Sequence, residues 1–306
     1  IEVTARRIDT FAIASSESRF GPLQFLGGLD LTSRDRRLEG LSGIDVTPDG
    51  ATAFIVSDEG LLLRARLIHE DGRLAGIAEM DVTPIFSGSA IDKRESDAED
   101  IAMAPGAPQE ALIAFERRAT PLIRFRLGPD GLSQPRLVKV PRGAARLRGN
   151  KGLESVALLP PQSRWPGQAL ILAERPPRGA GDAIPGWIVG AGALAVLRRD
   201  GFDVTSARFL PGGDLMLLER RYRPGLGVAM RLRRVAGEAV APGALLDGEI
   251  VLEAGMLHQI DNMEGLAVHR DAGGRTVLTL VSDDNGSILQ RTLILQFALA
   301  ETPPPD

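Results

Sequence analysis

The sequence predicts an all-β fold, a single β-propeller of four-stranded blades, on three observations. A strand–turn–strand pattern recurs five times along the chain. Glycine and proline, 35 and 21 of 306 residues, punctuate it throughout. No segment carries a long apolar period of 3.6 residues, which argues against a helical solenoid.

Each repeat opens on a polar or acidic residue, runs into a short apolar strand, turns at Pro or Gly, and ends a second apolar strand on an acidic residue or an acid–arginine pair. The first runs from Glu39 through Thr47-Pro-Asp-Gly50 to Asp58, and the second from Glu99 to Glu116-Arg117. The third runs from Glu154 to Glu174-Arg175, the fourth from Thr205 to Glu219-Arg220, and the fifth from Glu264 to Asp283. The openings are 60, 55, 51 and 59 residues apart, a period that belongs to propellers or solenoids. Asp71-Gly72, Asp130-Gly131 and Asp200-Gly201 mark further hairpin turns. The first repeat divides into four strands near 40–46, 52–58, 61–68 and 74–82, which is one propeller blade. After Glu264 only three strands remain, the last being Leu293–Leu299, so an N-terminal strand at Leu23–Leu31 is expected to complete the fifth blade and close the ring. Five blades are expected, or six if residues 1–33 build more than one strand. The chain reads as one domain over residues 1–306, with a soft tail at 302–306.

Composition narrows the function classes. The net charge of −4 argues against nucleic acid as a partner, and the 4% aromatic content argues against a stacking platform for bases or sugars. No apolar run of about 18 residues exists, so no transmembrane helix is expected. With no cysteine, disulfides and thiolate metal sites are excluded. There is no Gly-x-Ser-x-Gly elbow, no His-Glu-x-x-His and no phosphate loop. The chain begins at Ile1, consistent with removal of a signal peptide or with trimming.

The first strand of each propeller blade lines the central channel. Four carboxylates, Glu39, Glu99, Glu154 and Glu264, read at one repeat position and so are expected to converge near the axis, with Thr205 in the fourth blade. Like charges that close cannot all stay ionised without a cation. Hard oxygen donors suit calcium, with Asp97, Asn150 and Asn262 as further donors. The alternative is that these glutamates pair with arginines or cap blade edges. The acid–arginine pairs at the second strand ends either tie neighbouring blades together or ring the channel mouth. In the latter case Arg117, Arg175 and Arg220 would hold an anionic substrate, and Asp58 or Asp283 would orient a water. The basic stretch Arg136–Lys151, with Arg142, Arg146 and Arg148, is a phosphate-binding segment or a solvated loop. Of the three histidines only His258 lies within reach of the site, and packing is the plainer role for each.

Five motifs in order carry a resemblance to a known family. They are Leu38-Glu-Gly-Leu-Ser-Gly43 with Val56-Ser-Asp58, Asp97-Ala-Glu-Asp-Ile101 with Phe115-Glu-Arg117, Asn150-Lys-Gly-Leu-Glu154, Leu210-Pro-Gly-Gly-Asp-Leu215 with Leu218-Glu-Arg220, and Asn262-Met-Glu-Gly-Leu266 with Val281-Ser-Asp-Asp-Asn285. Over about residues 24–299 the chain resembles the family called esterase-like activity of phytase. The resemblance implies a β-propeller, a periplasmic or secreted protein, and hydrolysis of phosphate or carboxylic esters, with no agreed catalytic set to transfer. The expected function is a calcium-dependent hydrolase of a small anionic or ester substrate, working as a monomer. The competing expectation is a non-catalytic propeller in which calcium locks the blades of a binding scaffold, since one architecture hosts many functions.

Overall fold

The computed structural model describes residues 1–86, 96–106, 109–116, 121–147 and 152–300. The expected tail at 302–306, with Arg117, Arg148, Asn150 and Lys151, lies outside them.

Three strands open the chain: β1 (Thr4–Ile8), β2 (Arg19–Phe20) and β3 (Leu23–Thr32). Blade one follows as β4 (Leu41–Val46), β5 (Thr52–Ser57), β6 (Leu61–Glu70) and β7 (Arg73–Pro84). Blade two is β8 (Ala98–Ala104), β9 (Glu110–Phe115), β10 (Leu122–Gly128) and β11 (Gly131–Leu137). A four-residue helix, α1 (Arg142–Ala145), precedes blade three, which is β12 (Leu153–Leu158), β13 (Ala169–Ala173), β14 (Ala183–Ile188) and β15 (Gly192–Leu197). Blade four is β16 (Asp203–Phe209), β17 (Leu215–Arg223), β18 (Gly227–Val235) and, after the short β19 (Leu245–Leu246), β20 (Glu249–Ala254). The intervening β19 crosses back to pair in parallel with β15, tying blade four to blade three. Blade five is β21 (Asn262–Arg270), β22 (Thr276–Asp283) and β23 (Thr292–Leu299), completed by β3 and extended by β1 and β2.

The fold is therefore a five-bladed propeller whose first and last strands share one sheet. The antiparallel β3–β23 ladder, from Leu23 opposite Leu299 to Leu31 opposite Thr292, is the closure expected from the sequence. All three N-terminal strands join that sheet, so residues 1–33 build no sixth blade. The innermost strands β4, β8, β12, β16 and β21 each touch the next, and β21 returns to β4.

One apolar layer fills each of the five gaps between blades. Ile44, Ile55 and Leu63 pack with Val281 and Ile294 between blades five and one, and Phe54, Val56, Phe115 and Phe125 pack between one and two. Trp187 and Ile171 meet Leu112 between two and three, Leu172 and Leu194 meet Leu217 between three and four, and Met216 and Leu232 meet Leu278 and Phe297 between four and five. Because strand residues alternate faces, sheets apolar on both faces suit this radial stacking, which leaves few open edges.

The narrow axis explains the small residues there. Just past its first residues each innermost strand carries a β-bulge, at Ser42, Glu99, Glu154, Thr205 and Glu264. The following position holds Gly43, Asp100, Ser155, Ser206 or Gly265. A Cβ on Gly43 would stand 2.6 Å from the Asp100 Cα and 2.8 Å from the Glu99 carbonyl oxygen, so only glycine fits there. Below this ring a buried ion pair plugs the channel. The Arg208 guanidinium donates to both Asp100 carboxylate oxygens, at 2.8 and 2.9 Å, and to the carbonyls of Ile44, Ile101, Val156 and Ala207.

Candidate functional site

Above that plug the bulges turn three glutamates toward one mouth of the channel. A bulge inserts one residue into a strand and re-aims its side chain, and Glu99, Glu154 and Glu264 are the inserted residues of blades two, three and five. The sequence expectation that these three converge holds. For the first blade the register differs: Ser42 takes the bulge, its hydroxyl donating to the Gly40 carbonyl at 3.3 Å. Glu39 caps a short 3-10 turn over Arg36–Leu38, pairs with Arg36 at 3.3 Å and stands beside Gly286. In the fourth blade Thr205 is buried and donates to the Met263 carbonyl at 3.2 Å, fastening blade four to blade five.

The second-strand ends add further charge around the same mouth. Glu116, Glu174 and Asp283 join from blades two, three and five, with Asp97 at the entry to β8. Pairing of Ala98 with Phe115, and the 3.0 Å bond from the Glu116 amide to the Asp97 carbonyl, set Asp97 beside Glu116. One carboxylate oxygen from each of Asp97, Glu99 and Glu116 lies within 4.8 Å of the other two. This trio is the tightest acidic group of the mouth among the described residues. The sequence placed Asp97 and Glu99 together as metal donors but left Glu116 among the acid–arginine pairs; the signal that unites all three is the strand register, which sets 97 against 116, with the bulge turning Glu99 to the same mouth.

Burial and mutual repulsion raise the proton affinity of this group. Burial first, then Glu154, Asp97 and Glu116, push Glu99 well above the usual carboxylate range. Glu154 rises likewise, by burial and then by Glu174, Glu264 and Glu116. Burial brings Glu264 to about 7 even though Arg220 opposes the shift. Asp283 also reaches about 7, through burial and the nearby charges of Asp58 and Asp284. Asp58 and Asp283, expected as water-orienting residues, are thus brought together. Asp58 is held at the end of β5, its amide donating to the Gly40 carbonyl at 3.0 Å, and its carboxylate lies so close that a Cβ on Gly40 would fall 2.1 Å from Oδ1.

The expected arginines part company. Arg220 crosses between blades: it pairs with Glu264 at 2.9 Å and Glu174 at 3.3 Å and donates to the Asn262 side-chain oxygen. Its neighbour Glu219 points to the opposite face of β17, where it forms a fully buried pair with Arg233, as strand alternation requires. Arg175 instead bonds its own neighbour Glu174 and approaches Asp203 at 3.3 Å. Arg117 lies outside the described residues, so the structure says nothing of its place. His258 packs against Phe11 and Phe20 with ring centroids 5.0 and 6.1 Å apart, a structural role. Arg142 opens α1, whose Ala144 packs against Leu153 and Val156 of β12.

Among the described residues, then, the mouth gathers Asp58, Asp97, Glu99, Glu116, Glu154, Glu174, Glu264 and Asp283 together with Arg175 and Arg220. Oxygen donors alone, several of them crowded enough to resist ionisation, fit a hard divalent cation. No helix of the described chain is long and apolar enough to cross a membrane.

Comparison with known proteins fits this architecture. The family model described as Phytase-like, esterase-like activity of phytase, matches residues 36–286. No curated protein matches the sequence. Among solved structures, the chain is similar to a bifunctional GH43-CE protein of Bacteroides eggerthii, with a TM-score of 0.52 and 9% identity, over 84% of this chain and 33% of that one. It is also similar to a putative oxidoreductase (glucose dehydrogenase) of Thermus thermophilus, with a TM-score of 0.43 and 14% identity over 84% and 96% of the two chains. A structure titled glucose dehydrogenase gives a TM-score of 0.44 and 12% identity over 92% and 99%. At such identities the likeness concerns the fold alone.

Proposed function

The chain belongs to the Phytase-like family, esterase-like activity of phytase, and from that premise we propose that it is a metal-dependent hydrolase of phosphate or carboxylic esters, with calcium as the metal. The observation that carries the reading is the trio Asp97, Glu99 and Glu116, set among further carboxylates at one mouth of the channel.

Asp97, Glu99 and Glu116 would hold the ion, with Glu154 facing them from blade three. A bound divalent cation supplies Lewis acidity toward an ester oxygen and lowers the pKa of a bound water. The chain's own residues supply the rest. Arg220 and Asn262 form a hydrogen-bonded wall that orients an ester oxygen. Asn262 in turn donates to Glu264 at 2.9 Å, fixing the carboxyl that faces the mouth. Glu264 and Asp283, both near 7, are poised to accept or return a proton at neutral pH.

The test is a melting curve in calcium and in chelator, beside an assay of phosphomonoesters, phosphodiesters, phytate and short acyl esters. Calcium raises the melting temperature of the wild type, and Glu99→Gln removes that rise. Turnover is abolished by chelator and falls at least about tenfold, or about 1.4 kcal/mol of barrier, in Glu154→Gln. A folded, metal-loaded protein that turns over no ester would replace the hydrolase with the scaffold reading.

A further inference from the structure

Beside the acidic mouth, a groove of about 880 Å³ opens between the β17–β18 turn, the loop before β21 and the loop after β22. Arg220 and Asn262 form its inner end, so groove and mouth share one wall. Apolar side chains cover the larger part of the outer walls, beside Asp261, Ser287, Gln290 and Arg291. Ile13, Tyr222, Met256 and Leu289 line them and are 49, 68, 66 and 88% exposed. Leu226, Leu257 and Ile288 stand exposed on the same loops. Seven of the ten large apolar side chains exposed across the described residues thus stand on the groove's walls or on the segments that build them. Scattered single residues need no explanation, but a gathered patch marks a binding surface.

The patch sits on ordered backbone. The Ile13 amide donates to the Leu257 carbonyl at 2.8 Å, and the Gln259 amide to the Phe11 carbonyl at 2.7 Å. Phe11 is fully buried and meets Phe20 and Phe297 edge-on. Gly227, at φ +74°, leaves room for Met256, whose sulfur would lie 2.9 Å from a Cβ there. Backbone bonds hold these segments in place, so the ordering cost of a ligand falls on exposed side chains such as Met256 and Leu289.

Resting on the hydrolase reading for the reacting group, we infer that the groove holds the hydrocarbon half of the substrate, so that the substrate class is amphipathic esters with a linear or aromatic apolar body. The continuity of groove and mouth argues for this occupant: a chain lying on Tyr222, Met256 and Leu289 delivers its ester head to Arg220 and Asn262. A compact, highly charged polyphosphate would leave those walls in water and bring its charge against the carboxylates beyond.

Binding separates this inference from the hydrolase reading. Butyl, hexyl and octyl sulfonate, none of them an ester, are titrated calorimetrically into the calcium-loaded full chain below their micelle concentrations. Affinity rises at least tenfold from butyl to octyl, because each added methylene leaves water. Met256→Ser with Leu289→Ser flattens that rise, while Leu137→Ser, at an exposed apolar residue on blade two, keeps it. Equal affinities along the series, or an unchanged rise in the double variant, overturn the inference. So does wild-type binding to phosphatidylcholine vesicles, or self-association lost in the double variant, when either accompanies a flat series. Acyl nitrophenyl esters of increasing length are then assayed. A chain-length-dependent affinity without turnover of any ester sinks the hydrolase reading and leaves the groove assignment standing; turnover indifferent to length, with a flat binding series, does the reverse.

Discussion

The Asp100–Arg208 pair gives a quantitative test of how the propeller axis is held. Asp100 is fully buried and Arg208 is 6% exposed. The two meet in a bidentate contact of 2.8 and 2.9 Å, and Asp100 also accepts from the amides of Ile101 and Val156. Asp100→Asn keeps the shape, removes the charge and leaves Arg208 ionised in the interior. Breaking a buried pair from one side costs about 3–5 kcal/mol. The four carbonyls that also receive Arg208 place this case at the lower end, about 3 kcal/mol. With an unfolding entropy of about 2.1 cal/mol/K per residue, a chain of this length loses roughly 5 °C of melting temperature. Arg208→Met leaves the Asp100 charge stranded and costs a similar amount. The double variant loses clearly less than the two losses added, by about 2 kcal/mol, because neither member of the pair is left facing an absent partner, although Asp45, which Arg208 also steadies, stays half-buried there. Urea unfolding of the four proteins in chelator measures the cycle. Single variants within about 1 kcal/mol of wild type, with a coupling energy under about 0.5 kcal/mol, would refute the claim that this pair fastens the axis.

Two further outcomes follow from the same geometry. Gly43→Ala forces a methyl against the backbone of blade two and destabilises by about 1–3 kcal/mol or more; an unchanged thermal melt would mean the innermost strands are not in contact there. His269, buried at the opposite end of the channel, is held down to about 4 by burial and then by His69, so its neutral form is the one the fold accommodates. The stability this contributes is complete above about pH 6.5 and is lost as pH falls toward 4, up to about 3 kcal/mol. In His269→Gln the urea midpoint should drop less between pH 7 and pH 5 than in wild type, and equal drops would contradict the assignment.

The strands of blade one, the closing role of Leu23–Leu31 and the convergence of Glu99, Glu154 and Glu264 were all legible in sequence, because each follows from local alternation and a fixed period. Two features were not. The Asp100–Arg208 plug links residues two blades apart, and nothing in either strand's own pattern announces it except an aspartate where the other blades carry glycine or serine. The register of blade one was equally hidden. Glu39-Gly-Leu and Ser42-Gly-Ile are successive triplets of one form, and both resemble Glu264-Gly-Leu. An offset of three residues turns a side chain to the other face of a strand. Only cross-strand pairing, Gly43 with Val56 as Gly265 with Val281, decides that Ser42 is the equivalent of Glu264.

That register makes the mouth lopsided, and the lopsidedness suits the proposed chemistry. Carboxylates fill three of the five bulge positions, and the hydroxyls of Ser42 and Thr205 fill the other two. Were all five acidic, an anion would be repelled from every side and each ester oxygen would meet a like charge. Instead Arg220 rises from blade four, where Thr205 leaves the bulge uncharged, and reaches Glu174 on one flank and Glu264 on the other. The trio Asp97, Glu99 and Glu116 belongs to blade two, while the apolar groove opens on the Arg220 side. A molecule entering along the groove therefore meets a hydrogen-bonding cation first and the carboxylate group after it. On the proposed hydrolase reading, that order would place an ester's oxygen on Arg220 while its reacting centre faces the carboxyls able to exchange protons near pH 7.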